Sequence, residues 1–106
     1  MTDKIIVFVT CESKKQGETI AQAVVAENLA ACVNILPGIR SCYIWERKLT
    51  WSDEVLLLIK STRGRFGQLH DRVKALHSYD VPEIVSVSIE DAFQKYLDWI
   101  DDAVMG

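Results

Sequence analysis

No apolar run in this chain approaches the roughly 18 residues that a membrane span needs. Basic charge is not in excess either: the net charge is −3, which argues against the broad positive surface that nucleic acid or anionic lipid would attract. Cysteine is sparse. Cys11, Cys32 and Cys42 contain no Cys-x-x-Cys spacing, so neither a zinc finger nor a redox dithiol is encoded, and their odd number predicts free thiols in a reducing compartment. Thr2 and Asp3 precede Lys4, and no small-residue cleavage site follows the first apolar run, so a cytoplasmic protein is expected. Glycine is also scarce. The segment Cys11–Gly17 holds one glycine and an acid, which excludes a phosphate-cradling loop. No nucleophile elbow and no Ser-His-Asp arrangement is present, so no catalytic residue is assigned and an enzyme is not expected.

What is present is an alternation of strand and helix patterns over 1–106, expected to form one domain. Ile5–Val9 is a β-branched apolar run, the signature of a strand covered on both faces. Ser13 with Gln16 has the form of a capping box, opening a helix with Ile20, Val24 and Leu29 on one face, although Gly17 weakens its first turn. Cys32–Leu36 and Ile39–Trp45 read as one long strand interrupted by a bulge at Pro37-Gly38. Glu46–Asp53 reads as the polar tip of a hairpin whose return strand is Glu54–Ile59. Thr62 is placed to cap a second helix carrying Phe66, Leu69, Val73 and Leu76. The segment Ser78–Pro82 stops that helix, and an alternating strand follows from Glu83. Asp91 with Gln94 predicts the cap of a last helix, with Phe93, Leu97, Ile100 and Val104 on one stripe and Ala92, Tyr96, Trp99 and Ala103 on another.

The order βαββαβ plus a C-terminal helix predicts an α+β fold, the ferredoxin-like split βαβ sandwich with a long hairpin between its second and third strands. In that topology the first and third strands are central, and here these are the two that fail to alternate. Two helices cover one face of such a sheet. The other must be covered too, in part by the last helix and in part by a second subunit, with Tyr43, Trp45 and Trp51 on the hairpin as anchors.

Three groups are candidates for chemistry. Cys11 ends the first strand just before a helix, where the helix dipole is expected to lower a thiol pKa. His77 ends the second helix, where an imidazolium is stabilising in its own right and a ligand role is equally open. Thiolate and imidazole together suit Cu(I) or Zn(II), although two ligands make no structural site. Cys32 reads as a small core residue. Asp80 and Glu83 read as solvated acids beside a turn.

Five segments, in order, resemble the CutA divalent-cation-tolerance family: Glu27-Asn28-Leu29-Ala30-Ala31-Cys32-Val33-Asn34, Tyr43-Ile44-Trp45-Glu46, Val55-Leu56-Leu57-Leu58-Ile59-Lys60, His77-Ser78-Tyr79-Asp80-Val81-Pro82-Glu83-Ile84 and Tyr96-Leu97-Asp98-Trp99. The resemblance implies a cytoplasmic homotrimer linked to tolerance of copper and other divalent cations, without a settled reaction. It places the family's metal-site histidine on His77 and its thiol near Cys11. It places Cys32, Tyr43, Trp45, Lys60, Tyr79, Pro82, Glu83 and Trp99 around clefts between subunits. Copper, zinc or another divalent ion is the expected ligand, and the chain itself is the expected partner, with no nucleic acid and no membrane. Two departures stand out. Arg47 replaces a common glycine and should alter the hairpin turn, and Ser78 replaces a common proline and should loosen the segment holding His77. The rival reading is a trimeric regulatory module, similar to the nitrogen-regulatory signal proteins, that binds a small anionic metabolite near Lys60 and Tyr79.

Overall fold

The apolar run at Ile5–Val9 extends over Lys4–Cys11 as strand β1 in the computed structural model, which describes residues 2–105. After it come α1 (Lys14–Ala26), β2 (Cys32–Trp45), β3 (Lys48–Thr62), a 3₁₀ turn (Arg63–Arg65), α2 (Phe66–Leu76), β4 (Val85–Ser88) and α3 (Gln94–Met105). The strands form one antiparallel sheet in the order β2-β3-β1-β4, so β1 and β3 are the central pair. This is the split βαβ arrangement with an added C-terminal helix that the sequence pattern predicts.

Alternate residues of the central pair diverge in environment, because a strand's side chains point to opposite faces. Ile5, Val7, Val9 and Cys11 of β1 and Leu57 and Ile59 of β3 face the two crossover helices and are fully enclosed. Ile20 and Val24 of α1 and Leu69 and Val73 of α2 complete that cluster. Gly17 costs α1 some propensity but permits contact. A β-carbon there would sit 3.1 Å from Leu57 Cδ2 and 3.3 Å from Val55 Cγ2, so packing decides against the local preference.

The opposite face carries Ile6 and Phe8 of β1, Leu36 of β2, Leu56 and Leu58 of β3, and Val85 and Val87 of β4. It is only half covered: Leu36, Val85 and Val87 are exposed. Helix α3 covers one end of it, burying Leu97, Ile100 and Val104. Lys4 Nζ ties that helix down through Asp101 at 2.7 Å, and Arg65 donates to the Val104 carbonyl from Nε (3.0 Å) and Nη2 (2.6 Å), satisfying an orphan helix-end acceptor. The second stripe of α3 remains outward, with Trp99 and Tyr96 stacked at 5.6 Å.

Several local expectations are corrected. The hairpin tip is only Glu46-Arg47, not Glu46–Asp53, because Leu49 and Trp51 sustain alternation and pairing runs out to Trp45↔Lys48. Both tip residues have positive φ, 50° and 67°, the geometry of a two-residue turn that matches strand twist. The bulge between Leu36 and Ile39 is present, with Gly38 at φ 77°. Thr62 ends β3 and makes no capping bond, because the 3₁₀ turn intervenes before α2. Ser13 does cap α1, accepting from the Gln16 amide at 3.1 Å, but the Gln16 side chain reaches α2 instead of returning to Ser13. At the last helix, the Phe93 carbonyl accepts the first amides, so Phe93 precedes α3 and is largely exposed.

Candidate functional site

The long strands, the bulge and the loop after α2 converge at the end of the sheet far from α3. A cavity of about 510 Å³ opens there, within the usual size range of small-molecule sites. Its floor is the uncovered face of the sheet near Thr10 and Glu54; its walls are Ser41, Tyr43 and Trp45 from the hairpin and Tyr79, Asp80 and Glu83 from the loop after α2. Three of its lining residues are acids and none is a lysine or arginine.

Glu54 sets the chemistry. It is 9% exposed, and its Oε2 accepts a 2.8 Å hydrogen bond from the Tyr79 hydroxyl. Its Oε1 accepts no hydrogen bond among the described residues, yet no enclosed side-chain oxygen there lacks a partner, so Oε1 keeps contact with solvent. Burial, reinforced by the hydrogen bond and charge of Glu54, holds the Tyr79 phenol far above the usual tyrosine range. Tyr79 therefore remains a donor throughout the neutral range.

His77 anchors this wall without lining it. The ring Nε2 meets the Thr10 carbonyl at 2.7 Å, and Nδ1 accepts the Tyr79 amide at 3.1 Å. This pair of partners assigns the neutral Nε2–H tautomer and leaves neither nitrogen free for a metal. The His77 and Tyr79 rings lie 4.7 Å apart. Ser78 does not loosen the segment: its amide donates to Gln16 Oε1 at 2.9 Å, a bond that a proline at this position has no N–H to make.

Cys11 is corrected more sharply. Its thiol lies in the core on the helix-covered face, and burial, together with Glu54 and Glu12, pushes it up to about 11 instead of lowering it. Desolvation outweighs the helix dipole because the sulfur is wholly enclosed. Among the described residues, no group of three or more His, Cys, Asp or Glu side chains is arranged to hold a metal ion.

The residues expected around a cleft separate into two sets within one chain. Tyr43, Trp45, Tyr79 and Glu83 line the cavity, with Pro82 half-buried between two lining residues. Cys32 and Lys60 pair with each other at the opposite end of the sheet, near Tyr96 and Trp99 of α3, and the Lys60 ammonium is held by Asn34 Oδ1. Lys60 is six positions along β3 from Glu54, roughly 20 Å at the usual rise. A single subunit therefore does not assemble the anion site expected of Lys60 and Tyr79. Among the residues missed in the sequence, Glu54 matters most, and its one signal was a charge directly before the apolar run Val55–Ile59 of a central strand.

The profile of the CutA1 divalent ion tolerance protein family matches residues 5–103. The chain belongs to the CutA1 family. It is 48% identical over 95 residues to the divalent-cation tolerance protein CutA of Thermus thermophilus, covering 90% of this chain and 92% of that one. The chloroplastic CutA 1 of rice, Oryza sativa, is 43% identical over 99 residues, 93% of this chain, and the chain spans 56% of that longer protein. The crystal structure of CutA from Xylella fastidiosa superposes with a TM-score of 0.95 at 36% identity, covering 97% of this chain and 99% of its own. The CutA1 relationship accounts for the five segments and for the fold that carries them.

Proposed function

We propose that this CutA1-family chain acts in divalent-cation tolerance as a cytoplasmic homotrimer that binds copper or another divalent ion. The observation that carries the reading is Glu54, a buried carboxylate that lines an acid-rich cavity with only one of its oxygens hydrogen-bonded among the described residues. Carboxylate oxygens suit hard divalent ions, and the cavity lining offers three acids with no lysine or arginine to neutralise them. A site on His77 and Cys11 has less support, since the His77 ring would have to release the Thr10 carbonyl or the Tyr79 amide. The three free thiols fit a reducing cytoplasm.

Trimer formation is supported by the open apolar face. Val85, Val87 and Leu36 are exposed beside half-buried Phe8, Leu56 and Leu58, and such patches on small domains mark interfaces. Leu57, by contrast, is fully enclosed under the helices. Val87→Lys should therefore lower the sedimenting mass of a folded protein, whereas Leu57→Asp should unfold it. A Val87→Lys protein with unchanged mass would exclude this face as the interface.

Calorimetric titration of metal-free protein with Cu(II) and Zn(II) tests the site. Glu54→Gln should weaken binding and His77→Ala should leave it nearly unchanged. The reverse order would move the metal to His77, and no binding in the wild type would remove the metal reading altogether.

A further inference from the structure

The uncovered face of the sheet is charged at both ends and apolar between them. At one end stand Glu54, Asp80 and Glu83, none of which forms an ion pair among the described residues. At the other stands Lys60, whose ammonium is held by the neutral amide of Asn34 and likewise meets no carboxylate among the described residues. Glu54, Leu56, Leu58 and Lys60 alternate along β3 onto this one face. Their spacing of roughly 20 Å keeps the opposite charges from meeting within a chain. Phe8, Leu36, Leu56, Leu58, Val85 and Val87 fill the interval. Aromatic rings flank both charged ends, Tyr43 and Trp45 beside the acids and Tyr96 and Trp99 near Lys60.

A ring of three identical chains cannot be built from one self-complementary patch. Each contact in it runs head to tail and joins two unlike patches of the same surface. The two ends of this face are unlike in the way such a contact requires, being opposite in charge and joined by one apolar strip.

We propose that the acid end of one copy receives the Lys60 end of a second copy, and that three copies close the ring. Lys60 of the partner subunit enters the cavity among Glu54, Asp80 and Glu83, so the neighbour supplies the cation that the cavity's own chain lacks. Burial of the apolar strip drives association, and the charges set which end meets which, because matching ends would bring like charges together. The inference rests on the homotrimer reading and is independent of whether a metal binds.

Sedimentation velocity of the full chain at neutral pH tests it, with circular dichroism as the check on folding. Wild type should sediment with the mass of three chains. Glu83 is exposed, so Glu83→Lys should remain folded and weaken assembly roughly tenfold or more, the effect of setting like charges against each other. Lys60→Glu should act in the same direction, and the two substitutions combined in one chain should recover part of the lost assembly. Should Lys60→Glu fail to fold, carbodiimide coupling of mixed isotope-labelled and unlabelled wild-type chains gives a second reading. It should join Lys60 to a cavity acid in peptides of mixed label. Wild-type mass in both single variants, a double variant no better than either single, or no mixed-label link overturns this inference and leaves the homotrimer standing. A wild-type protein that sediments as one chain or as two removes the homotrimer reading and this inference with it.

Discussion

Tyr79 donates a 2.8 Å hydrogen bond to Glu54 across the join between the loop after α2 and strand β3. The two residues are 25 positions apart, and their contact closes the wall of the acid-lined cavity onto its floor. One side of the bond is fixed by His77, which holds the Tyr79 backbone amide, and the other by pairing of Glu54 with Ile39 just past the bulge.

Removing that bond leaves a buried carboxylate without its donor. Tyr79→Phe should lower stability by about 1–2 kcal/mol, the cost of orphaning one partner. Urea unfolding at neutral pH reads it directly. An unchanged midpoint would show that Glu54 is satisfied by solvent and is not held by the phenol.

Alkaline pH should expose the buried thiol. The folded pKa of Cys11 is raised from 9.0 to about 11, so the folded state keeps a proton that the unfolded chain gives up. Its contribution is complete below pH 9 and is lost as pH rises toward 11. Two pKa units correspond to about 2–3 kcal/mol. Tyr79, also raised, adds to the decline above its ordinary value of 10.0. Stability measured by denaturant titration from pH 8 to pH 11 should fall in wild type and fall less steeply in Cys11→Ala, although that variant starts lower for its cavity. Parallel slopes in the two proteins would contradict the assignment to Cys11.

The hairpin turn offers a stabilising change. Arg47 sits at φ 67° and Glu46 at 50°, and for an L-residue the left-handed region costs about 1–2 kcal/mol. Glycine removes that cost and returns part of it as unfolded-state entropy. Arg47→Gly should therefore raise stability by about 0.5–1 kcal/mol, visible as a higher thermal midpoint. A lower midpoint would mean that the Arg47 side chain contributes more than its backbone strain removes.

Some of this was legible because it is local. The apolar runs of β1 and β3 named the central strands, since only a strand covered on both faces dispenses with alternation. Pro37-Gly38 marked the bulge, and Ser13 marked the start of α1. Other features misled for equally local reasons: Thr62 has the chemistry of a helix cap, yet the chain spends it as the last residue of β3 before a 3₁₀ turn. Cys11 stands where a helix dipole acts, but enclosure on the helix-covered face outweighs that dipole.

The sequence by itself determined the order of elements, the central pair of strands and the need to cover a second apolar face. These follow from periodicity and from the cost of leaving hydrocarbon in water. Only the tertiary structure decided which polar groups meet. It placed Glu54 against Tyr79, occupied both nitrogens of His77, and set Lys60 at the far end of the sheet from Tyr79. Those outcomes depend on strand register, the bulge and the path of a loop, none of which leaves a periodic trace, and so the chemistry of the cavity appeared only when the chain was folded.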